Sequence, residues 1–193
     1  MGRPHPTIDI PGRHPDVAGL LDTVAVDPFG ALDELRRGCR GGAAAAGHLC
    51  VTNWVADPAA GSVLLVRHDR LGWATCGGHV ERGEPLAVAA ARELHEETGL
   101  VAGVTARRWP APLFVHRTGQ AGTGDRHVHW NVAFAWTARV GTPLAAEAGR
   151  PAAWFPMSAL PPDGPDDLAA GVAALSAVVG ATDGGSNRPG PVG

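Results

Sequence analysis

The chain has no lysine and no tyrosine, and its 193 residues include only three cysteines, Cys39, Cys50 and Cys76. The cysteines are odd in number and lie far apart without a Cys-x-x-Cys pair, which excludes a cysteine-based zinc or redox motif. We expect reduced thiols and a cytoplasmic location. The N-terminus has no signal-peptide core, and no apolar run is long enough to span a bilayer, so we expect no membrane partner.

Positive charge is also limited. The chain has sixteen arginines and nineteen acidic residues, which gives a formal net charge of −3, and it contains no long basic run. Neutralising a nucleic-acid backbone requires clustered cations, so we expect no nucleic-acid partner. An apolar content of 45% supports a substantial core, and the length favours one domain with decorated ends.

The most informative stretch is residues 77–100. Pro85 suits the first turn of a helix and Gly99 suits the left-handed residue that ends one, which predicts a helix from Pro85 to Thr98. Apolar and small residues recur on this helix at three- and four-residue intervals. The predicted buried stripe consists of Ala87, Ala90, Ala91, Leu94 and Thr98.

Three carboxylates, Glu93, Glu96 and Glu97, lie about 130° around the helix from that stripe, at roughly 100° per residue. They therefore share one exposed or cleft-lining face. Like charges within one turn repel, and something must offset the repulsion. Carboxylate and carbonyl oxygens suit Mg²⁺ or Mn²⁺, so we predict a metal site. A solvated acidic face is the alternative.

The spacing of the fixed residues matches a known motif. Gly78 is followed by five spacers, Glu84, seven spacers, Arg92-Glu93-Leu94, one spacer, Glu96-Glu97, one spacer and Gly99-Leu100. This pattern resembles the Nudix box at every fixed position, and the chain resembles a Nudix hydrolase over residues 48–160. The resemblance implies an α/β fold, a Nudix-type α/β/α sandwich with a mixed sheet between helices. It also implies hydrolysis of a diphosphate linkage in a nucleoside diphosphate derivative or a similar organic pyrophosphate.

The resemblance also implies roles for the box residues. The carbonyl of Gly77 and the carboxylates of Glu93, Glu96 and Glu97 would hold a divalent metal, Mg²⁺ or Mn²⁺. Glu93 would act as the general base or hold a second metal. Arg92 would pair with Glu84 and fix the helix to the preceding loop. The expected partner is a small-molecule pyrophosphate.

Residues outside the box give weaker signals for substrate binding. Arg67 could hold a phosphate or be a solvated strand end. His79 and His129 lie near the predicted metal site, where His116 and His127 add to an unusual density of imidazole, although structural roles are an alternative. Glu147 lies in the loop where many Nudix hydrolases supply a late carboxylate. The candidates are therefore Arg67, His79, His129 and Glu147.

The substrate is not assigned by known subfamily marks. Family members that act on ADP-ribose often carry a proline where this chain has His116, and those that act on dinucleoside polyphosphates tend to have a tyrosine there. Two alternatives to hydrolysis stay open. Residues 73–79 resemble isopentenyl diphosphate isomerases, with Cys76 one position early. The other alternative is a non-catalytic Nudix module that senses a nucleotide, although such modules usually lose box carboxylates.

The predicted organisation has four parts. Residues 1–44 form an N-terminal arm with short helices, 45–160 the Nudix hydrolase domain, 161–179 a C-terminal helix and 180–193 a disordered tail. A homodimer is left open. Strands are predicted at 48–55, 62–68, 72–76, 101–109, 113–116, 127–140 and 153–156. The turn residues at 57–61 predict that the first two strands form a hairpin.

Overall fold

The chain folds as a mixed β-sheet with helices on both faces. The computed structural model describes residues 14, 17, 19, 22–39, 47–119, 128–146 and 149–183. The helices are α1 (Leu32–Cys39), α2 (Leu86–Thr98) and α3 (Leu168–Asp183). The strands are β1 (His48–Asp57), β2 (Ser62–His68), β3 (Gly72–Ala74), β4 (Cys76–His79), β5 (Arg107–Gly119), β6 (Val128–Thr137) and β7 (Ala152–Pro156).

Strands β1 and β6 form the centre of the sheet and run parallel, with His48 opposite His129 and Ala56 opposite Thr137. The strand order is β3-β2-β1-β6-β5, β4 pairs with β1, and β7 pairs with β2. The neighbours of β1 other than β6 are antiparallel to it. The sheet is therefore mixed, as predicted.

The central strands contribute side chains to two hydrophobic cores, one on each face. In β1, Leu49, Val51 and Val55 belong to the core beneath α2, whereas Trp54 and Ala56 belong to the core beneath α3. Burial on both faces explains why these strands read as nearly continuous apolar runs. The predicted α/β/α sandwich is confirmed.

The strand prediction was wrong beyond helix α2. Residues 101–106 form a turn closed by a bridge between Ala102 and Ala106, and one strand, β5, replaces the two predicted strands. Pro112 lies between the two predicted strands, and a proline cannot donate to the ladder. However, β5 is the last strand in the sheet order, and register shifts on both sides of Pro112 accommodate the proline. The predicted strand at 72–76 is also divided, into β3 and β4.

The ends of the chain are described only in part. Helix α1 lies within the predicted arm, and its Leu35 packs in the core beneath α2. Helix α3 continues to Asp183, beyond the predicted helix limit at residue 179. Glu147 and residues 184–193, which include most of the predicted tail, lie outside the described residues. Within the described ranges, no helix has both the length and the apolar character needed to span a bilayer.

Candidate active site

Helix α2 positions the box carboxylates, and its predicted span is confirmed to within one residue. Pro85 is the N-cap, and Gly99 ends the helix with a φ of 75° while its N–H donates to the carbonyl of His95 at 2.8 Å. A Cβ at Gly99 would lie 2.7 Å from the backbone N of Ala145. The left-handed conformation and the close packing therefore both require glycine.

The predicted buried stripe of α2 was wrong in part. Ala87 and Ala91 are only partly buried. The residues that are buried include one of the three carboxylates: Leu86, Ala89, Ala90, Leu94, Glu97 and Thr98. The buried face of α2 therefore differs from the predicted stripe. It includes Glu97, whose side chain contacts strand β4.

The three carboxylates differ sharply in exposure. The side chain of Glu96 is 58% exposed, whereas those of Glu93 and Glu97 are 13% and 8% exposed. Oε2 of Glu97 accepts the backbone N–H of Gly77 at 2.8 Å, and its Oε1 lies 3.4 Å from a guanidinium nitrogen of Arg150. Two of the three acidic side chains are thus held inside the protein.

Arg92 connects the helix to the loop that precedes it. Its Nε and Nη2 donate to the two carboxylate oxygens of Glu84 at 2.9 and 2.8 Å, a bidentate arrangement. Its Nη1 donates to Glu93 at 2.6 Å and lies 3.5 Å from Glu96. Nη2 also donates to the carbonyl of His79 at 3.1 Å. One guanidinium therefore positions three box carboxylates and strand β4.

Glu84 and Glu93 contact the same arginine but have opposite pKa shifts. Burial alone would raise the pKa of Glu84, but hydrogen bonds from Arg92 and from the N–H of Glu81 lower it below its usual range. Desolvation raises the pKa of Glu93, and the nearby charges of Glu97 and Glu96 add to the rise, although Arg92 opposes it. Glu93 is therefore the more basic carboxylate of the two.

The two glycines of β4 allow two different close approaches, of strand β1 at Gly77 and of helix α2 at Gly78. A Cβ at Gly77 would lie 2.2 Å from the carbonyl oxygen of Val51. A Cβ at Gly78 would lie 2.5 to 2.7 Å from the carboxylate atoms of Glu93. Any larger residue at either position would displace the backbone or the acid, which explains the physical need for consecutive glycines.

The donor set fits a hard divalent cation. Glu93 fills the space above Gly78 that a side chain would occupy, and Glu97 places a buried carboxylate beside Gly77. Buried carboxylates need compensating positive charge, and oxygen donors of this kind suit Mg²⁺ or Mn²⁺. Glu93, Glu96 and Glu97, with the carbonyl of Gly77, are the residues that would hold such an ion. In the structure Gly77 contacts Glu97 through its N–H.

The structure separates Arg67 from these residues. The guanidinium of Arg67 forms an ion pair with Asp163 and lies 5.9 Å from the ring centroid of Trp73. Its contacts are therefore with β3 and with the segment before α3 rather than with α2. Glu147 lies outside the described residues, so its predicted role stays a prediction.

The structure brings His79 and His129 together with a third histidine, His48, which the sequence analysis did not select. One ring nitrogen from each of the three lies within 4.8 Å of the others. His116 lies elsewhere, because its Nε2 is 2.7 Å from Asp167 and its ring contacts Phe29.

Arg150 is a second residue that the sequence analysis missed. It reaches Glu97 from 53 residues further along the chain. Nothing in the local sequence marks it, because its role depends on how the segment before β7 passes over α2. The signal for His48 was its position at the start of the strand that pairs with β6.

A cleft of about 710 Å³ lies at the C-terminal ends of the parallel strands β1 and β6. Asp57, the last residue of β1, lines it, whereas Gly77 and Gly78 pair with Thr52 and Val51, midway along β1. The box carboxylates do not line this cleft. The candidate site is therefore assigned from its chemistry and not from cavity size.

The fold and the carboxylate arrangement define a class of protein, and comparison with known families agrees. The family model for the NUDIX domain matches residues 47–175. This match covers most of the chain and includes the box helix, both glycines of β4 and the three carboxylates. The chain belongs to the NUDIX domain family.

Solved structures share the fold at low sequence identity. A NUDIX-family hydrolase from Clostridium perfringens has a TM-score of 0.54 and 18% identity, covering 68% of this chain and 97% of its own. An Ap4A hydrolase from C. elegans, solved as a binary complex, has a TM-score of 0.55 and 14% identity, covering 69% and 98%. A MutT NUDIX hydrolase from Burkholderia pseudomallei has a TM-score of 0.51 and 22% identity, covering 66% and 96%.

Proposed function

We propose that the chain is a divalent-metal-dependent pyrophosphohydrolase. It would cleave the diphosphate linkage of a nucleoside diphosphate derivative, or of a similar organic pyrophosphate, by attack of water. The observation that carries the proposal is the position of two buried carboxylates at β4, where Glu93 occupies the space over Gly78 and Glu97 accepts the N–H of Gly77. This arrangement holds two like charges together inside the protein, where a bound cation would compensate them.

Each box residue has a distinct task in this proposal. Glu96, Glu97 and the carbonyl of Gly77 hold the cation, and Glu93 either joins them or accepts the proton of the attacking water. A raised pKa makes Glu93 a stronger base than an ordinary carboxylate. Arg92 fixes the orientation of Glu93 while Glu84 anchors Arg92. When bound, the cation neutralises phosphate oxygens and lowers the pKa of the attacking water.

The isomerase alternative is less well supported by the structure. It requires a cysteine that reaches the substrate, but Cys76 is 2% exposed and packs in the core beneath α2. Its Sγ lies 3.9 Å from the carbonyl of Asn53, and burial raises the pKa of the thiol well above its ordinary value. Such a group is poorly placed to transfer a proton to a prenyl chain.

A hydrolysis screen tests the proposal. The substrates are nucleoside triphosphates, sugar nucleotides, dinucleotides and prenyl diphosphates, each with Mg²⁺ or Mn²⁺. Ap4A is included because one structural neighbour is named an Ap4A hydrolase. Glu96→Gln serves as the inactive blank, and Glu81→Gln, which removes an exposed charge from the preceding loop, is the matched control.

We expect the wild type and Glu81→Gln to release a phosphorylated product that Glu96→Gln does not. Isomer formation from a prenyl diphosphate without hydrolysis would favour the isomerase alternative. Nucleotide binding without turnover of any substrate, unchanged in the blank, would favour the sensor alternative.

A further inference from the structure

We propose that His48, His79 and His129 form a second metal site, for a borderline transition-metal cation such as Zn²⁺ or Co²⁺. The proposal does not depend on the hydrolytic function, because it concerns a different set of donor atoms. The name histidine site is used below for these three residues.

The strand register places the three side chains on one face of the sheet. His48 is directly opposite His129 in the parallel β1–β6 pair. His79 is opposite Cys50 in the antiparallel β1–β4 pair. Cys50 and His48 are two residues apart on β1 and therefore point to the same face. Three neighbouring strands, β1, β4 and β6, thus bring three imidazole rings together on one face of the sheet.

The distances fit a shared cation after small adjustments. The ligand nitrogens lie within 4.8 Å of one another, and the ring centroids are 4.9 to 5.9 Å apart. Zinc–nitrogen bonds of about 2.0–2.1 Å place tetrahedral ligands roughly 3.3 Å apart. A shared cation therefore requires rotation about the side-chain torsions of the three histidines.

The donor chemistry separates this site from the carboxylates. Imidazole nitrogen suits Zn²⁺, Co²⁺, Ni²⁺ or Cu²⁺, whereas carboxylate oxygen suits Mg²⁺ and Mn²⁺. Three protein ligands leave a fourth position open, as in catalytic zinc sites, for water or for an anionic oxygen. A phosphate oxygen of a substrate is a ligand of that class.

The two sites lie on opposite faces of strand β4. The Cβ direction of Gly78 meets Glu93 of helix α2, and its partner Val51 belongs to the core beneath α2. His79 is the next residue, so its side chain points to the other face. Trp130 likewise packs beneath α2, so its neighbour His129 points away from that core. A cation at the histidine site would therefore not replace the ion held by the carboxylates.

Metal titration of the full, untagged chain tests the histidine site. The protein is stripped with a chelator and titrated with Co²⁺, whose visible absorption reports nitrogen ligation, and Zn²⁺ is then added as a competitor. We expect one Co²⁺ per chain that gives visible bands and is displaced by Zn²⁺. A single His48→Ala or His79→Ala substitution should weaken binding by more than about 100-fold, since even second-shell partners contribute about 10–100-fold.

Two controls separate the histidine site from other binding. His95→Ala removes an exposed histidine of α2 and should leave the Co²⁺ bands unchanged, as should Glu97→Gln. Circular dichroism of each variant verifies the fold. Absence of the bands in the wild type would overturn the proposal. So would bands that persist in His79→Ala and His129→Ala, or bands that Glu97→Gln abolishes.

Discussion

The backbone N–H of Gly77 donates to the buried carboxylate of Glu97 at 2.8 Å. This bond joins strand β4 to the last turn of helix α2. Glu97 also lies 3.4 Å from Arg150, so the carboxylate is held from two sides. A residue that we propose as a cation ligand is therefore also a structural contact between α2 and β4.

Glu97→Gln tests this double role. The substitution keeps the shape of the side chain and its ability to accept a hydrogen bond from Gly77, but it removes the charge. We expect kcat to fall by about two to three orders of magnitude, the range found when one charge-stabilising group is lost. The loss is measured with the substrate found in the hydrolysis screen.

The fold of Glu97→Gln should be retained, as judged by circular dichroism and a thermal melt. Glu81→Gln is the matched control, because it removes the charge of an exposed residue that precedes α2. Equal rates for the two variants would show that Glu97 is a structural residue only.

Gly78→Ala probes the space shared with Glu93. The added methyl would lie 2.5 Å from Glu93 Oε1, and Arg92 restrains that carboxylate from moving aside. We expect kcat/KM to fall by at least roughly tenfold, because displacing a positioned group by about 1 Å can cost about 100-fold. Steady-state kinetics provide the measurement.

Gly180→Ala is the control for this substitution. Gly180 lies in helix α3, and a Cβ there would meet nothing within 4 Å. Alanine should leave activity unchanged and increase the free energy of unfolding by about 0.5–1 kcal/mol, because it restricts the unfolded chain. A Gly78→Ala enzyme as active as Gly180→Ala would contradict the close approach of Glu93.

Local patterns were sufficient to predict the span of helix α2, which carries the box carboxylates. Pro85, Gly99 and the spacing of apolar residues reflect interactions within one turn, which a sequence displays directly. The hairpin of β1 and β2 was predicted for the same reason, from the turn that begins at Asp57. Its side chain accepts the N–H groups of Ala59 and Ala60 in the structure.

Contacts between distant segments could not be predicted in this way. Arg150 reaches Glu97 across 53 residues, and His48 meets His129 only because β1 and β6 pair in one register. The continuity of β5 through Pro112 depends on its place at the edge of the sheet. Each of these features is set by the packing of whole elements against one another. The local spacing of residues in the sequence does not contain that information.

Arg92→Ala should reduce stability more than removal of an arginine whose carboxylate partners are exposed to solvent. It leaves Glu84 and Glu93 without their guanidinium, and their side chains are only 12% and 13% exposed. We expect the free energy of unfolding to fall by about 1–3 kcal/mol, the cost of a partly buried polar group that loses its partner. Urea denaturation without metal measures this change.

Arg36→Ala is the matched control for Arg92→Ala. Arg36 pairs with Asp22 and Asp33, whose side chains are 76% and 77% exposed. Pairs of this kind contribute about 0–1 kcal/mol. Arg92→Lys should fall between the two alanine variants, because lysine keeps the charge but loses the bidentate geometry. Equal losses for both alanine variants would contradict the anchoring role of Arg92.

The opposite pKa shifts of Glu84 and Glu93 predict opposite effects of neutral substitutions on stability. The folded-state pKa of Glu84 is lowered below its unfolded value of about 4.3, so its contribution is complete above that value and is lost as pH falls through the lowered pKa. Glu84→Gln should therefore destabilise the metal-free protein at pH 7 and converge with the wild type in acid.

The folded-state pKa of Glu93 is raised, so its protonated form favours folding below the unfolded pKa, and this contribution is lost as pH rises through the raised value. Glutamine mimics that protonated form. Glu93→Gln should therefore match the wild type in acid and be more stable than it at pH 7, when a chelator is present. Denaturant melts from acid to pH 7 measure the free energy of unfolding of both variants. If both substitutions change it in the same direction at pH 7, the opposite pKa shifts of Glu84 and Glu93 are contradicted.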